Sequence, residues 1–275
     1  MSGKITLTPL VTLLAICLFD FGGCKNKAQT DSVQIAVTNS YLRCIVEDIC
    51  QGRVNILSLT PPGMCPGHFD ISPAQVNALC KCKILFIFDF QNKIADSLSR
   101  IKKRGLKIYS VRAKPGMCIP QTYLTAATDI CSALSLEYPG QANKYKERLK
   151  CIENRLEELG TVLHSEVKQA GLSQAPVIAS EHQGHFIRWL GMRTIATFQG
   201  SDTETAADIH NILQKAKGQN IRFIIANEQQ GTALANSLAK QLDAKGVLFS
   251  NFPEPASTFD ELITENVKRL CESSK

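Results

Sequence analysis

The segment from Gln141 to Ala170 limits the folds open to this chain more than any other. Tyr145, Leu149, Ile152, Leu156, Leu159, Leu163 and Val167 recur at steps of three and four residues, which lays one apolar stripe along a helix. About 30 residues of helix span roughly 45 Å, more than the width of a small domain. Such a rod needs two bodies to pack against. Gly160 and Gly171 are its expected weak points. On either side of it the sequence alternates short apolar runs with amphipathic stretches. The reading is therefore α/β: two Rossmann-like lobes joined by a long backbone helix, with a ligand site in the interlobe cleft.

In the first half, strands are expected over 33–37, 54–59, 84–88 and 106–111, with helices over 40–50, 72–80 and 93–104. Ser72 can cap the second helix, with Pro73 at its first position. Ile84 to Phe88 is continuously apolar, as a parallel strand buried on both faces must be. A helix over 121–136 and the turn Tyr138-Pro139-Gly140 lead into the long helix. The second half repeats the alternation, with strands over 177–180, 193–198, 221–226 and 246–250 and helices over 184–190, 203–217, 231–242 and 258–270. The expected division is residues 1–23 as a signal peptide, 24–32 as a lipidated tether, 33–120 as an N-terminal α/β lobe, 121–171 as a helical linker and 172–275 as a C-terminal α/β lobe.

The N-terminus sets the compartment. Lys4 gives a positive start, Ile5 to Phe19 is an apolar run too short to span a bilayer, and Gly22-Gly23 precedes Cys24. This reads as a bacterial export signal. Phe21-Gly22-Gly23-Cys24 resembles a lipobox, which implies cleavage before Cys24 and acylation of its thiol. The chain is then held to a membrane on the periplasmic or cell-surface side.

A hydrophobic fraction of 44% and a charged fraction of 20% are those of a globular protein. The net charge of +6 is mild, and the basic run Arg100 to Lys107 has no interleaved aromatics, so nucleic acid is not an expected partner. Of 11 cysteines, Cys17 leaves with the signal and Cys24 is lipidated, leaving an odd nine. At least one thiol is expected to be free, metal-bound or intermolecular. Cys80 and Cys82 read as small core residues beside a buried strand.

The loops after the strands hold the chemistry. Pro62-Gly63-Met64-Cys65 recurs as Pro115-Gly116-Met117-Cys118, and the first copy runs on into His68 and Asp70. A thiol, an imidazole and a carboxylate within six residues of a stiff Pro/Gly loop are ligand types. Three readings stay open: a two-loop metal site, a Cys65–Cys118 disulfide, or two cysteines that are plain small hydrophobes in turns. Farther along, strand ends carry Glu181-His182, Asn227-Glu228 and Asn251. His185 reads as helix surface or cleft rim, Trp189 as core, and His164 and His210 as residues of solvated helices.

The order of these loops resembles the periplasmic zinc/manganese-binding proteins of metal ABC transporters, over nearly the whole mature chain. VNILSLTPPGMCPGHFDISPAQV is similar to that family's strand, ligand-histidine loop and Pro-initiated helix, which makes His68 the match for a first metal ligand. SEHQGHFIRWLG points to Glu181 or His182. FIIANEQQ and VLFSNFP fit the last two cleft loops, with Glu228 in the former and Asn251 near a family aspartate. The chain departs from the family in offering Met117-Cys118 where a ligand histidine is usual, in lacking a His-rich acidic loop, and in placing Asn251 at a carboxylate position.

The resemblance implies a lipid-anchored extracytoplasmic receptor, not an enzyme, that binds a transition-metal ion and delivers it to an ABC permease, acting as a monomer. His68, Cys118, Glu181, His182 and Glu228 are the expected ligands, with Cys65, Asp70, Met117 and Asn251 as auxiliaries. Sulfur and imidazole favour zinc or another borderline-to-soft ion over manganese; zinc is the favoured cargo, with manganese, iron and copper left open. The alternatives are a same-fold receptor for a corrinoid or iron chelate, or, in a different class, a metal-dependent hydrolase or thiol oxidoreductase. One Trp and five Tyr are few for a chelate-stacking cleft, and no C-x-x-C opens a helix.

Overall fold

Each half of the chain forms a four-stranded, all-parallel sheet. In the first, β1 (Gln34–Val37), β2 (Asn55–Ser58), β3 (Ile84–Phe88) and β4 (Lys107–Val111) lie in the order β2-β1-β3-β4. In the second, β5 (Pro176–Ser180), β6 (Arg193–Phe198), β7 (Phe223–Asn227) and β8 (Lys245–Phe249) repeat it as β6-β5-β7-β8. Strand order therefore reverses at β1 and again at β5, and open parallel sheets hold ligands beyond the carboxyl ends of the strands at such points. This computed structural model describes residues 1, 3, 34–52, 54–61, 71–98, 105–200 and 203–275. The chain divides into a unit of residues 1–31 and a unit of residues 32–275, and the fold is that of the second. Cys24 and the loop bearing Cys65, His68 and Asp70 lie outside the described residues. Among those described, no helix is long and apolar enough to cross a membrane.

β3 and β7 are buried along their whole length, as their continuous apolar sequence requires. The first-lobe helices are α1 (Ser40–Cys50), α2 (Pro73–Leu79) and α3 (Asn92–Ser97). Asn39 caps α1 by accepting the Leu42 amide at 3.0 Å, and Ser72 with Gln75 forms a capping box at α2, with Pro73 inside it. α4 (Pro120–Glu137) and α5 (Ala142–Gln169) connect the sheets, followed by α6 (Glu181–Trp189), α7 (Ala206–Ala216), α8 (Ala233–Gln241) and α9 (Phe259–Ser273).

α5 runs unbroken through Gly160. That glycine is no weak point: a Cβ there would lie 3.3 Å from the Trp189 ring, so its bareness seats the indole. Gly171, at φ +67°, follows the helix end instead. Ile152, Leu156, Leu163 and Val167 of α5 belong to one apolar cluster that includes Ile35 and Phe86 of the first sheet and Val177, Phe223 and Phe249 of the second. Fully buried side chains of this size each contribute about 1.5–3 kcal/mol relative to exposure. The lobes thus share a core.

The seam between them is also stitched by polar groups. Tyr123 of α4 stacks on Phe259 of α9 at 4.2 Å, and Tyr41 of α1 meets both rings edge-on at 5.4 and 5.7 Å. Arg155 of α5 pairs with Asp48 of α1 at 2.7 Å and with Asp260 of α9 at 3.1 Å. The Cys44 thiol of α1 donates to the Ser257 carbonyl at 3.3 Å.

Two helix starts and one cysteine differ from the sequence reading. α6 begins at Glu181 rather than Gly184, because a carboxylate suits a first turn and Gly184 lies inside the helix, where a Cβ would come within 3.1 Å of Thr197. α7 begins at Ala206, since Thr205 and Asp208 form its capping box. Cys82 is buried as expected, but Cys80 is exposed at the end of α2.

Candidate functional site

The β4–α4 loop of the first lobe reaches across to the carboxyl ends of the second sheet. Its Gly116 sits at φ +83°, and a Cβ there would collide with Ile119 at 2.5 Å and press on the Cβ of His185, on α6, at 3.0 Å. Only glycine lets the loop lie this close to α6. Two residues on, Cys118 has no exposed surface. Its thiol donates to the Ser250 carbonyl at 3.2 Å, lies 3.6 Å from Asn251 Oδ1, and receives the Asn266 amide at 3.6 Å. Burial pushes the thiol up to about 12, against the lowering effect of the Asn266 hydrogen bond. Cys118 is a free thiol, protonated at neutral pH. To act as a metal ligand it would have to leave this seat and lose its proton.

Around Cys118 the ends of β5, β7 and β8 form a floor of neutral amides. Gln183 donates through Nε2 to both Asn227 Oδ1 and Asn251 Oδ1, each at 3.0 Å. Asn251 N donates to Gln229 Oε1 at 3.1 Å, Gln229 Nε2 to Ser250 Oγ at 3.0 Å, and Asn266 brackets the Ser250 backbone at 2.9 and 3.0 Å. Gln183, Asn227, Asn251 and Asn266 are all nearly or fully buried. Gln183 Oε1 is the exception to satisfaction here, buried without a hydrogen-bond partner among the described residues. The sequence reading named Asn227 and Asn251 but missed Gln183, Ser250 and Asn266. The clustering of Asn and Gln at three strand ends was the available signal.

Above the floor the candidate ligands divide. Glu181, His182, His185 and Glu228 are exposed, the first three on the opening turns of α6 and the last directly after β7. Glu228 and Ser250 border a cavity of about 600 Å³ that continues along α9 past Glu254, Asp260 and Glu265. Met117 is half-buried against the shared core. Among the described residues no three His, Cys, Asp or Glu side chains converge on one point. His164 and His210 are packing and surface groups: the His164 ring lies 4.3 Å from Trp189 and donates to its carbonyl at 2.7 Å, and His210 bonds Gln214 at 3.2 Å. The exposed donors are imidazole and carboxylate, types that suit borderline divalent cations.

Comparison with known proteins adds to this geometry. A crystal structure of ZnuA superposes with a TM-score of 0.73 at 17% identity, covering 89% of this chain and 100% of that one. A Mn-bound periplasmic metal binding protein from Candidatus Liberibacter asiaticus gives 0.74 at 12%, again over 89% and 100%. At these identities the likeness is one of fold. A metal ABC transporter substrate-binding lipoprotein of Lactococcus lactis subsp. lactis (strain IL1403) is 32% identical over 83 residues, which are 28% of this chain and 26% of the relative. The chain thus spans about a quarter of the length of the curated relative it matches. The family model of the zinc-uptake complex component A periplasmic, ZnuA, matches residues 119–273, from the residue after Cys118 through the second sheet to α9. With more than half of its length matched in this way, the chain belongs to the ZnuA family.

Proposed function

We propose that this protein is an extracytoplasmic receptor, anchored through a lipidated Cys24, that captures a transition-metal ion between its lobes and hands it to an ABC permease without chemical conversion. The observation that carries the reading is the docking of the Gly116–Cys118 loop of one lobe on α6 and the strand ends of the other. Glu181 and His182 open α6, Glu228 follows β7, and all three are exposed. With His68 from the first lobe they form the ligand set, and zinc is the favoured cargo because imidazole and mixed donors suit it. Cys118 and Asn251 enter as the packed base of the site, with Met117, Cys65 and Asp70 as auxiliary donors. The family, and the relative whose name joins a metal transporter to a lipoprotein, support both the permease as partner and the membrane anchor.

A ligand bound only by the folded state at a hundredfold excess over its Kd stabilises by about 2.7 kcal/mol. Zinc added to the purified chain is therefore expected to raise Tm, chelator to lower it, and elemental analysis to find about one ion per chain. Identical melting curves with zinc and with chelator would defeat this reading.

A further inference from the structure

The exposed face of α6 has a centre that the ligand set above leaves out. Gln183, Gly184, Phe186 and Ile187 are buried, so the helix turns residues 181, 182, 185 and 188 outward. At about 100° per residue, His185 lies roughly 40° from Glu181 and 60° from His182 around the axis, in the middle of that face. Glu181 and His185 are also one turn apart, a spacing that puts two side chains side by side. Two donors at this spacing on one helix face are a recurrent way to hold zinc.

The first lobe meets the second at this same residue. A Cβ on Gly116 would stand 3.0 Å from the Cβ of His185, so the loop backbone lies against the base of the imidazole. His185 as a whole is nonetheless exposed. Gln183, held by Asn227 and Asn251, fixes the rotation of this turn. The base of the imidazole is thus set where the Gly116 loop meets α6.

Building on the receptor reading, we propose that His185 is a ligand of the captured ion, paired with Glu181 across one turn of α6 and set against the Gly116 loop. It supplies the imidazole that the second Pro-Gly-Met-Cys loop lacks. Gly116 is required because a Cβ there would collide with Ile119 of its own loop and press on the Cβ of His185.

The test titrates the full chain in detergent with Zn²⁺ against a chromophoric chelator, as wild type, His185→Ala, His185→Gln and His210→Ala, with Tm measured for each. His185 is exposed, so its variants are expected to keep the wild-type fold. Loss of an outer-shell partner weakens metal sites by about 10–100-fold. Both His185 variants are expected to weaken zinc at the upper end of that range or beyond, with His210→Ala unchanged. ¹⁵N spectra of the imidazoles supply a readout that a structural role would not move: zinc should shift the His185 ring nitrogens directly. Wild-type affinity in His185→Ala, or weakened binding with no zinc-induced change at the His185 ring, would overturn the proposal alone. A wild-type chain that binds no zinc would overturn the receptor reading and this inference together.

Discussion

Replacing Arg155 by methionine keeps an apolar stem of similar length in the seam while removing the cation set between two carboxylates. Arg155 holds Asp48 through two bonds, at 2.7 and 3.2 Å, and reaches Asp260 at 3.1 Å, while the Tyr123 hydroxyl donates to Asp48 at 2.7 Å. The Arg155, Asp48 and Asp260 side chains are 40%, 22% and 28% exposed. Breaking a fully buried pair costs about 3–5 kcal/mol and an exposed one about 0–1. Partial exposure places this cluster between them, at about 2–3 kcal/mol near pH 7. The sign of the pH dependence follows from Asp260. Burial holds its carboxyl above the ordinary value, Arg155 opposes that, and Asp48 adds to it. An acid raised in the folded state adds relative stability below its unfolded pKa of about 4 and loses it as pH rises through the folded value. Without Arg155 the Asp260 carboxyl rises further and takes up its proton sooner on acidification, so the repulsion disappears. Urea unfolding of Arg155→Met should therefore show a large deficit at pH 7 that narrows at pH 4.5. A deficit below about 0.5 kcal/mol at pH 7, the range of ordinary surface substitutions, would refute the reasoning. So would a deficit that grows on acidification.

The fold was legible because its determinants are local and periodic. Ile84–Phe88 is apolar without interruption and became a fully buried strand, and the three-and-four spacing of α5 became a face buried against the shared core. Caps were legible where the residue types are specific, as at Ser72 and Pro73. Glycines were not. Gly160 read as a weak point and Gly184 as a helix start, yet each is bare because a ring or a methyl from a distant segment fills its space, and a distant neighbour leaves no trace in the local pattern. The candidate site split along the same line. Ligand types after strands could be read off the chain, and Glu181, His182 and Glu228 are exposed where a cation could reach them. The state of Cys118 could not, because Ser250, Asn251 and Asn266, more than 130 residues away, are what bury it and keep its proton.

Three further outcomes follow from these contacts. Gly160→Leu should lower stability by about 1–3 kcal/mol through overpacking against Trp189, with a shift in the emission of that single tryptophan; unchanged stability and emission would contradict the seat. Native alkylation at pH 7.5 should label exposed Cys80 and Cys151 while sparing Cys44, Cys50 and Cys118, whose thiols burial pushes up to about 12; labelling of Cys118 at the rate of Cys151 would show that its seat opens freely. The last concerns Asn251, whose side-chain oxygen already receives the Gln183 amide at 3.0 Å and faces the Cys118 thiol at 3.6 Å. Asn251→Asp therefore keeps both donors in use and adds a negative charge to a neutral floor. Carboxylate favours harder cations than amide or imidazole does, so the variant should bind Mn²⁺ more tightly relative to Zn²⁺ than the wild type. It should also melt lower without metal, because a desolvated charge has replaced an amide. An unchanged zinc-to-manganese affinity ratio in a folded Asn251→Asp chain would mean that this floor lies too far from the ion to choose it.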